Sequence, residues 1–263
     1  MLELAPDEQE CFIKTMKEKA FEGKTPSSDP AITLLIGAPG SGKSSLAKKI
    51  KNSVSISTDA VIAEYAQTLG IDIRENFYDN EIGKFAARVS GELLDEAVRN
   101  KYNIVLDNSS PDTAYLIHKN PPKGYHVSTK VLLVDEYQAA LNAIERKMDT
   151  DEAYTRSRQQ RGSFKSDNVL DVNASFSLDA SQEVVDFIQT SVEKNFPIEV
   201  YEYGRDKPSF RTGDDFDRFI ERLELPPAEQ HLERIERLSK RAQTEDDILG
   251  LNLLKSKMKS ERM

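Results

Sequence analysis

A chain of 263 residues, 38% hydrophobic and 31% charged, has room for one α/β domain with a sizeable core plus appendages, and it is not a disordered chain. Its net charge of -9 and pI near 5.1 disfavour nucleic acid as a partner, because a polyanion would have to meet a local basic patch against the mean field. Cys11 is the single cysteine, which excludes an internal disulfide or a multi-cysteine metal site; with no signal-peptide pattern and no long apolar run, a cytoplasmic protein without a membrane span is expected.

In chain order, Phe12, Ile13, Met16 and Ala20 recur at helical spacing, and the Gly/Pro/Ser-rich run from Gly23 to Pro30 ends that helix. Ala31 to Ile36 is a continuous apolar run bounded by Pro30 and Gly37, the pattern of a strand buried on both faces. Further strands are expected at Val54–Ser57, Tyr102–Leu106, Thr129–Val134 and Ile198–Tyr203. Helices are expected over about 44–52, 60–69, 80–99, 136–148 and 179–194. Strands alternating with helices predict a three-layer α/β fold with a mainly parallel sheet, whose ligands sit beyond the carboxyl ends of the strands. The polar stretch over about 149–177, with Arg156, Arg158, Arg161 and Lys165, reads as a lid. After Pro226-Pro227, Leu232, Ile235 and Leu238 form a narrow stripe ahead of Ile248–Leu254, which predicts terminal helices that dock on the domain. The organisation expected is a helix and linker over 1–30, the main domain over 31–225 and a helical extension over 226–263.

Gly37-Ala38-Pro39-Gly40-Ser41-Gly42-Lys43-Ser44 has two glycines five apart, then lysine and a hydroxyl residue, the pattern of a phosphate-binding P-loop. Glycines let successive backbone N–H groups turn inward around an anion, and the helix that follows adds its positive end. Lys43 then reaches the β- and γ-phosphates and the Ser44 hydroxyl ligates Mg²⁺, with Ser45 beside it in the same cradle. The nucleotide expected is ATP, with GTP as the alternative, and the fold expected is that of a P-loop NTPase of small-molecule-kinase type with extra terminal helices.

Two carboxylates follow strands. Asp59 comes two residues after the second strand and sixteen after Lys43; it reads either as the base that takes a proton from an attacking hydroxyl or as a helix N-cap. Asp107 ends the third strand beside Asn108 and Ser109, a set suited to a polyol or a hydrated Mg²⁺, or else it is a cap or turn residue before Pro111-Asp112. Asp135 and Glu136 follow the apolar run Val131–Val134 as in hydrolytic ATPases, but acidic residues at a helix start are stabilising by the dipole alone, and that structural reading is preferred. Arg156, Arg158 and Arg161 read as lid guanidiniums over the triphosphate or as an exposed basic turn. His118, His126 and His231 have no ligand spacing and read as surface or satisfied histidines.

The run Phe12–Glu22, the strand and loop Pro30–Ser44, Ser57-Thr58-Asp59, Gly91–Val98, Tyr102–Ser110 and the arginine-bearing stretch Tyr154–Arg161 together resemble the zeta toxin family of P-loop kinases. The resemblance implies a kinase of a sugar hydroxyl on UDP-N-acetylglucosamine. It implies Asp59 as base, Asp107 beside the acceptor or Mg²⁺, and the lid arginines Arg156, Arg158 and Arg161 on the triphosphate. It also implies action as a toxin or effector, delivered into another cell or held by a helical antitoxin. Where that family carries a second acidic residue and then a basic one beside its aspartate, this chain has Thr58, Ala60, Val61 and Ile62. The rival readings are a kinase of another nucleotide such as NAD, a remodelling ATPase acting on a protein through the terminal helices, and a polynucleotide 5′-kinase. The acidic balance and the lack of an aromatic-rich basic groove count against the last.

Overall fold

The computed structural model describes residues 4–38, 41–70, 80–107, 110–149, 183–202, 204–221, 228–242 and 245–260. Six strands form one sheet: β1 Ala31–Gly37, β2 Ser53–Ile56, β3 Asn103–Leu106, β4 His126–Leu133, β5 Ile198–Glu202 and β6 Phe210–Arg211. Their order is β2-β3-β1-β4-β5-β6, parallel except for the edge strand β6. The helices are α1 Pro6–Phe21, α2 Lys43–Lys49, α3 Thr58–Leu69, α4 Asn80–Arg99, α5 Pro111–Lys119, α6 Glu136–Asp149, α7 over 183–193, α8 Phe216–Glu221, α9 Ala228–Ser239 and α10 Glu245–Ser260.

The apolar run of β1 divides by alternation. Ile32, Leu34 and Ile36 enter the large core with Val54, Ile56, Ile104 and Val131, which α1, α3, α4 and α7 cover. Leu35 turns the other way, against Val105 and Ala47 of α2. Burial on both faces is what a continuous hydrophobic run in a parallel sheet requires. On this face Phe12 of α1 packs edge-on against Tyr65 of α3, ring centroids 5.3 Å apart, and at a tilt against Phe85 of α4 at 5.8 Å. At the far edge Lys130 and Tyr201 join Glu199, with Arg211 reaching it from β6. Burial pushes the Glu199 carboxyl up, but the hydrogen bonds from Lys130, Tyr201 and Arg211 outweigh it and hold it at about 2.

Three elements go beyond the sequence expectation, the short helix α8 at Phe216–Glu221 among them. The turn expected at Pro111-Asp112 is the start of helix α5, with Pro111 in its first turn and Ser110 as N-cap accepting from the Thr113 amide at 3.1 Å. The chain also returns after β5 as the short antiparallel β6. The terminal helices dock as expected, but mainly on one helix: Ile235 and Leu238 of α9 and Leu251, Leu254 and Met258 of α10 form a satellite core with Ala140, Leu141 and Ile144 of α6. Among the described residues, no helix is long and apolar enough to cross a membrane.

Candidate active site

The strand order sets the site. The chain ends of β2, β3 and β1 lie side by side, so Asp59, Asp107 and the Gly37–Ser44 loop share one edge of the sheet. Within the loop, Gly37 approaches so closely that an added Cβ would stand 2.6 Å from Ser41 Oγ and 2.8 Å from the Leu132 carbonyl oxygen. Gly42 caps α2 in the left-handed region at φ 94°, a conformation that favours glycine. Lys43 is only 7% exposed, and its Nζ donates to the Gly37 and Ala38 carbonyls, the latter at 3.0 Å. The Ser41 amide donates to the Ala38 carbonyl at 3.1 Å, while its buried hydroxyl has no hydrogen-bond partner among the described residues. Ser44 and Ser45, on the first turn of α2, are exposed. Pro39 and Gly40 lie outside the described residues. Gly37→Ala is expected to cost about 1–3 kcal/mol, because one of the two clashing atoms is backbone that cannot rotate away, and to weaken nucleotide binding; thermal melting and an ATP titration check both.

The two carboxylates differ in surroundings. Ser57, and not Asp59, is the N-cap of α3: the Ser57 hydroxyl accepts from the Ala60 amide, and Asp59 sits one position inside the helix, only 5% exposed. The cap alternative for Asp59 is thereby corrected. Asp107 is tied to the same corner by its amide, which donates to the Ile56 carbonyl at 3.0 Å, so β3 ends against the residue that precedes Ser57. Its Oδ1 is buried without a hydrogen-bond partner among the described residues. The helix cap nearest to it is Ser110, so Asp107 does not serve as that cap. Val61 and Ile62, at positions where the resemblance led to a charge, are core residues of α3. Asn108, Ser109, Arg156, Arg158 and Arg161 lie outside the described residues.

Asp135 has structural partners. Its Oδ1 accepts from the Tyr137 amide at 3.0 Å and the Gln138 amide at 3.2 Å, capping α6, and its Oδ2 lies 3.0 Å from His231 Nε2 of α9. His118 bonds Thr129 at 2.7 Å and stacks on Phe196, and burial pushes its pKa down; His126 is exposed beside Asp29. His231, expected as a surface or satisfied histidine, is buried against a carboxylate 96 positions earlier, a pairing that no local spacing signals.

Among the described residues no group of three or more His, Cys, Asp or Glu is gathered to hold a metal. A divalent ion here would take most of its ligands from phosphate oxygens and water, with the Ser44 hydroxyl and the orphaned Asp107 oxygen as the protein's share, and that oxygen-only, sparse donor set suits Mg²⁺.

Among solved structures, a chain of the PezAT chromosomal toxin-antitoxin system of the human pathogen Streptococcus pneumoniae is similar, at 16% identity and TM-score 0.65, over 93% of this chain and 100% of that one. A chain of the AvrRxo1-ORF1:-ORF2 complex matches at 11% identity and TM-score 0.50, over 96% of this chain and 84% of that one. At such identities the likeness is one of fold. No curated protein matches the chain. The family model described as Zeta toxin matches residues 15–171, from α1 through the phosphate loop, Asp59, Asp107 and Asp135; over more than half its length, then, the chain belongs to the zeta toxin family.

Proposed function

We propose that this chain is an ATP-dependent kinase that moves the γ-phosphate onto a hydroxyl of a small metabolite, with a nucleotide-sugar such as UDP-N-acetylglucosamine as first acceptor and a nucleotide such as NAD as second. The observation that carries the proposal is the alignment of a phosphate loop and two carboxylates on one sheet edge, with Asp59 following β2, and Asp107 following β3 and tied by its amide to the Ile56 carbonyl at the end of β2. Lys43 moves from the loop carbonyls to the β- and γ-phosphates, which supply the negative charge that those carbonyls mimic only in part. Asp59 takes the proton of the acceptor hydroxyl as its oxygen bonds to the γ-phosphorus and the bond to the β-phosphate oxygen breaks, leaving ADP. Ser44 and Asp107 would hold Mg²⁺, which when bound would supply charge neutralisation at the phosphates. Arg156, Arg158 and Arg161 are assigned to the lid, and Asn108 and Ser109 to the acceptor. GTP can replace ATP only if the base pocket admits it. Because Val61 and Ile62 are buried, acceptor contacts beyond that of Asp59 come from other elements than α3.

Toxin action, with a helical antitoxin or other regulatory protein as partner, is supported by family membership and by the toxin-antitoxin setting of a similar structure. The test is incubation with γ-labelled ATP and a metabolite extract, then identification of the labelled compound. Label released only as free phosphate would overturn the kinase reading. Asp107→Asn separates function from structure: transfer should fall by about 10- to 100-fold, while the melting temperature stays level or rises, because the replaced oxygen is an orphan in a buried corner. Parallel losses of activity and melting temperature would make Asp107 structural.

A further inference from the structure

α6 is the element through which the C-terminal helices touch the phosphate loop. At its start, Val134 and Ala139 form a small apolar cluster with Ala38, and the Ala139 amide donates to the Asp135 carbonyl at 2.9 Å. Ala38 in turn offers its carbonyl to Lys43 Nζ and to the Ser41 amide. The wall of the loop is thus the first turn of α6, and that turn is held by Asp135.

Asp135 is held from outside the sheet. Its Oδ1 is used by the two capping amides, and its Oδ2 faces His231 Nε2. The side chains of His231 and Asp135 are 5% and 10% exposed. The 3.0 Å approach is close but lies off hydrogen-bond alignment, and neither atom has another hydrogen-bond partner among the described residues, so each depends on the other for compensation of a buried polar group. Below this contact α9 runs along α6. Ile235 and Leu238 pack against Ala140, Leu141 and Ile144, Arg234 donates to Asn142 at 2.8 Å and to Glu145, and Arg237 and Arg241 close on the same Glu145. From its N-cap to Glu145, α6 is therefore gripped by polar contacts from α9 and from Arg241 just beyond it, interleaved with apolar packing.

We infer that His231 is a positioning residue for the nucleotide site: by fixing Asp135, and through it the α6 turn that backs Ala38, it sets the phosphate loop in the geometry that takes the triphosphate. The C-terminal helices then belong to the kinase as a strut and are not merely an appended module. This inference rests on the ATP reading of the loop. It goes beyond that reading in giving a residue far along the chain control over it.

The test is ATP binding, with Mg²⁺ chelated so that no loss of metal can mimic the effect, together with melting temperature, on wild type, His231→Ala and His231→Gln. His231→Ala is expected to weaken ATP binding about tenfold, a usual size for coupling between neighbouring elements. His231→Gln, whose amide NH₂ can face the same carboxylate oxygen, should recover most of it. Should the alanine variant fail to fold, Asp135→Asn decides, since asparagine keeps the oxygen that caps α6 but puts an amide in place of the oxygen facing His231; it too should bind ATP less tightly. Combined with either His231 variant it should add little, as residues acting through one contact do. A wild type that does not bind ATP would overturn the nucleotide reading itself. A wild type that binds, with His231→Ala or Asp135→Asn equal to it in affinity and altered only in melting temperature, would overturn the positioning role and leave the kinase reading intact.

Discussion

Lys43→Ala should lower phosphoryl transfer by about 10³-fold, the upper end of what loss of one preorganised donor costs. The ammonium is buried and held by the Gly37 and Ala38 carbonyls, within a loop whose glycines bring backbone close around it. Alanine removes the point charge from a site built for anions, whereas the folded protein, in losing the hydrogen bonds to the Gly37 and Ala38 carbonyls, is also relieved of holding a buried ammonium. Transfer and stability should therefore part company. Single-turnover transfer measured with thermal melting checks this; unchanged turnover in a folded variant would sink the nucleotide assignment. Arginine should not rescue the site, because its planar fork cannot replace a compact ammonium between two carbonyls and a triphosphate.

Much of this site is readable from the sequence, for a local reason. The phosphate loop is built from backbone, so its conformation is encoded by glycines at fixed spacing and by the buried run before them. The strands with continuous apolar runs were legible likewise, because burial on both faces leaves no alternation to misread. Helix α5 was missed although Ser110-Pro111-Asp112 carries a cap, a first-turn proline and an acidic first turn; the same residues also spell a turn, and nine residues leave little periodicity to decide between them. The contact of His231 with Asp135 was beyond reach because it depends on how α9 docks, which packing of Ile235 and Leu238 determines and local sequence does not. Asp59 shows the intermediate case. Its position after a strand was readable, but three polar residues in a row, Ser57, Thr58 and Asp59, could each have capped α3, and only the geometry assigns the cap to Ser57.

That assignment sharpens the expectation for Asp59→Asn. Since Ser57 caps the helix, the substitution leaves the cap untouched, keeps the side-chain size, and costs the first turn the dipole interaction of one carboxylate, about 0.3–1 kcal/mol. A structural role thus predicts near-normal transfer. If Asp59 is the base, the amide cannot accept the proton of the attacking hydroxyl, and transfer should fall by about 10²-fold or more, the range for a positioned acid or base. ATP affinity should stay near wild type, because the side chain serves the acceptor side of the edge, beyond β2, while the phosphate loop follows β1 two strands away. Single-turnover transfer to the identified acceptor, ATP titration and thermal melting on the same preparation separate these outcomes. A loss confined to the chemical step assigns the base to Asp59. Activity within a few-fold of wild type moves it elsewhere on the same edge, and Asp107, whose buried oxygen has no hydrogen-bond partner among the described residues, is the next carboxylate to substitute.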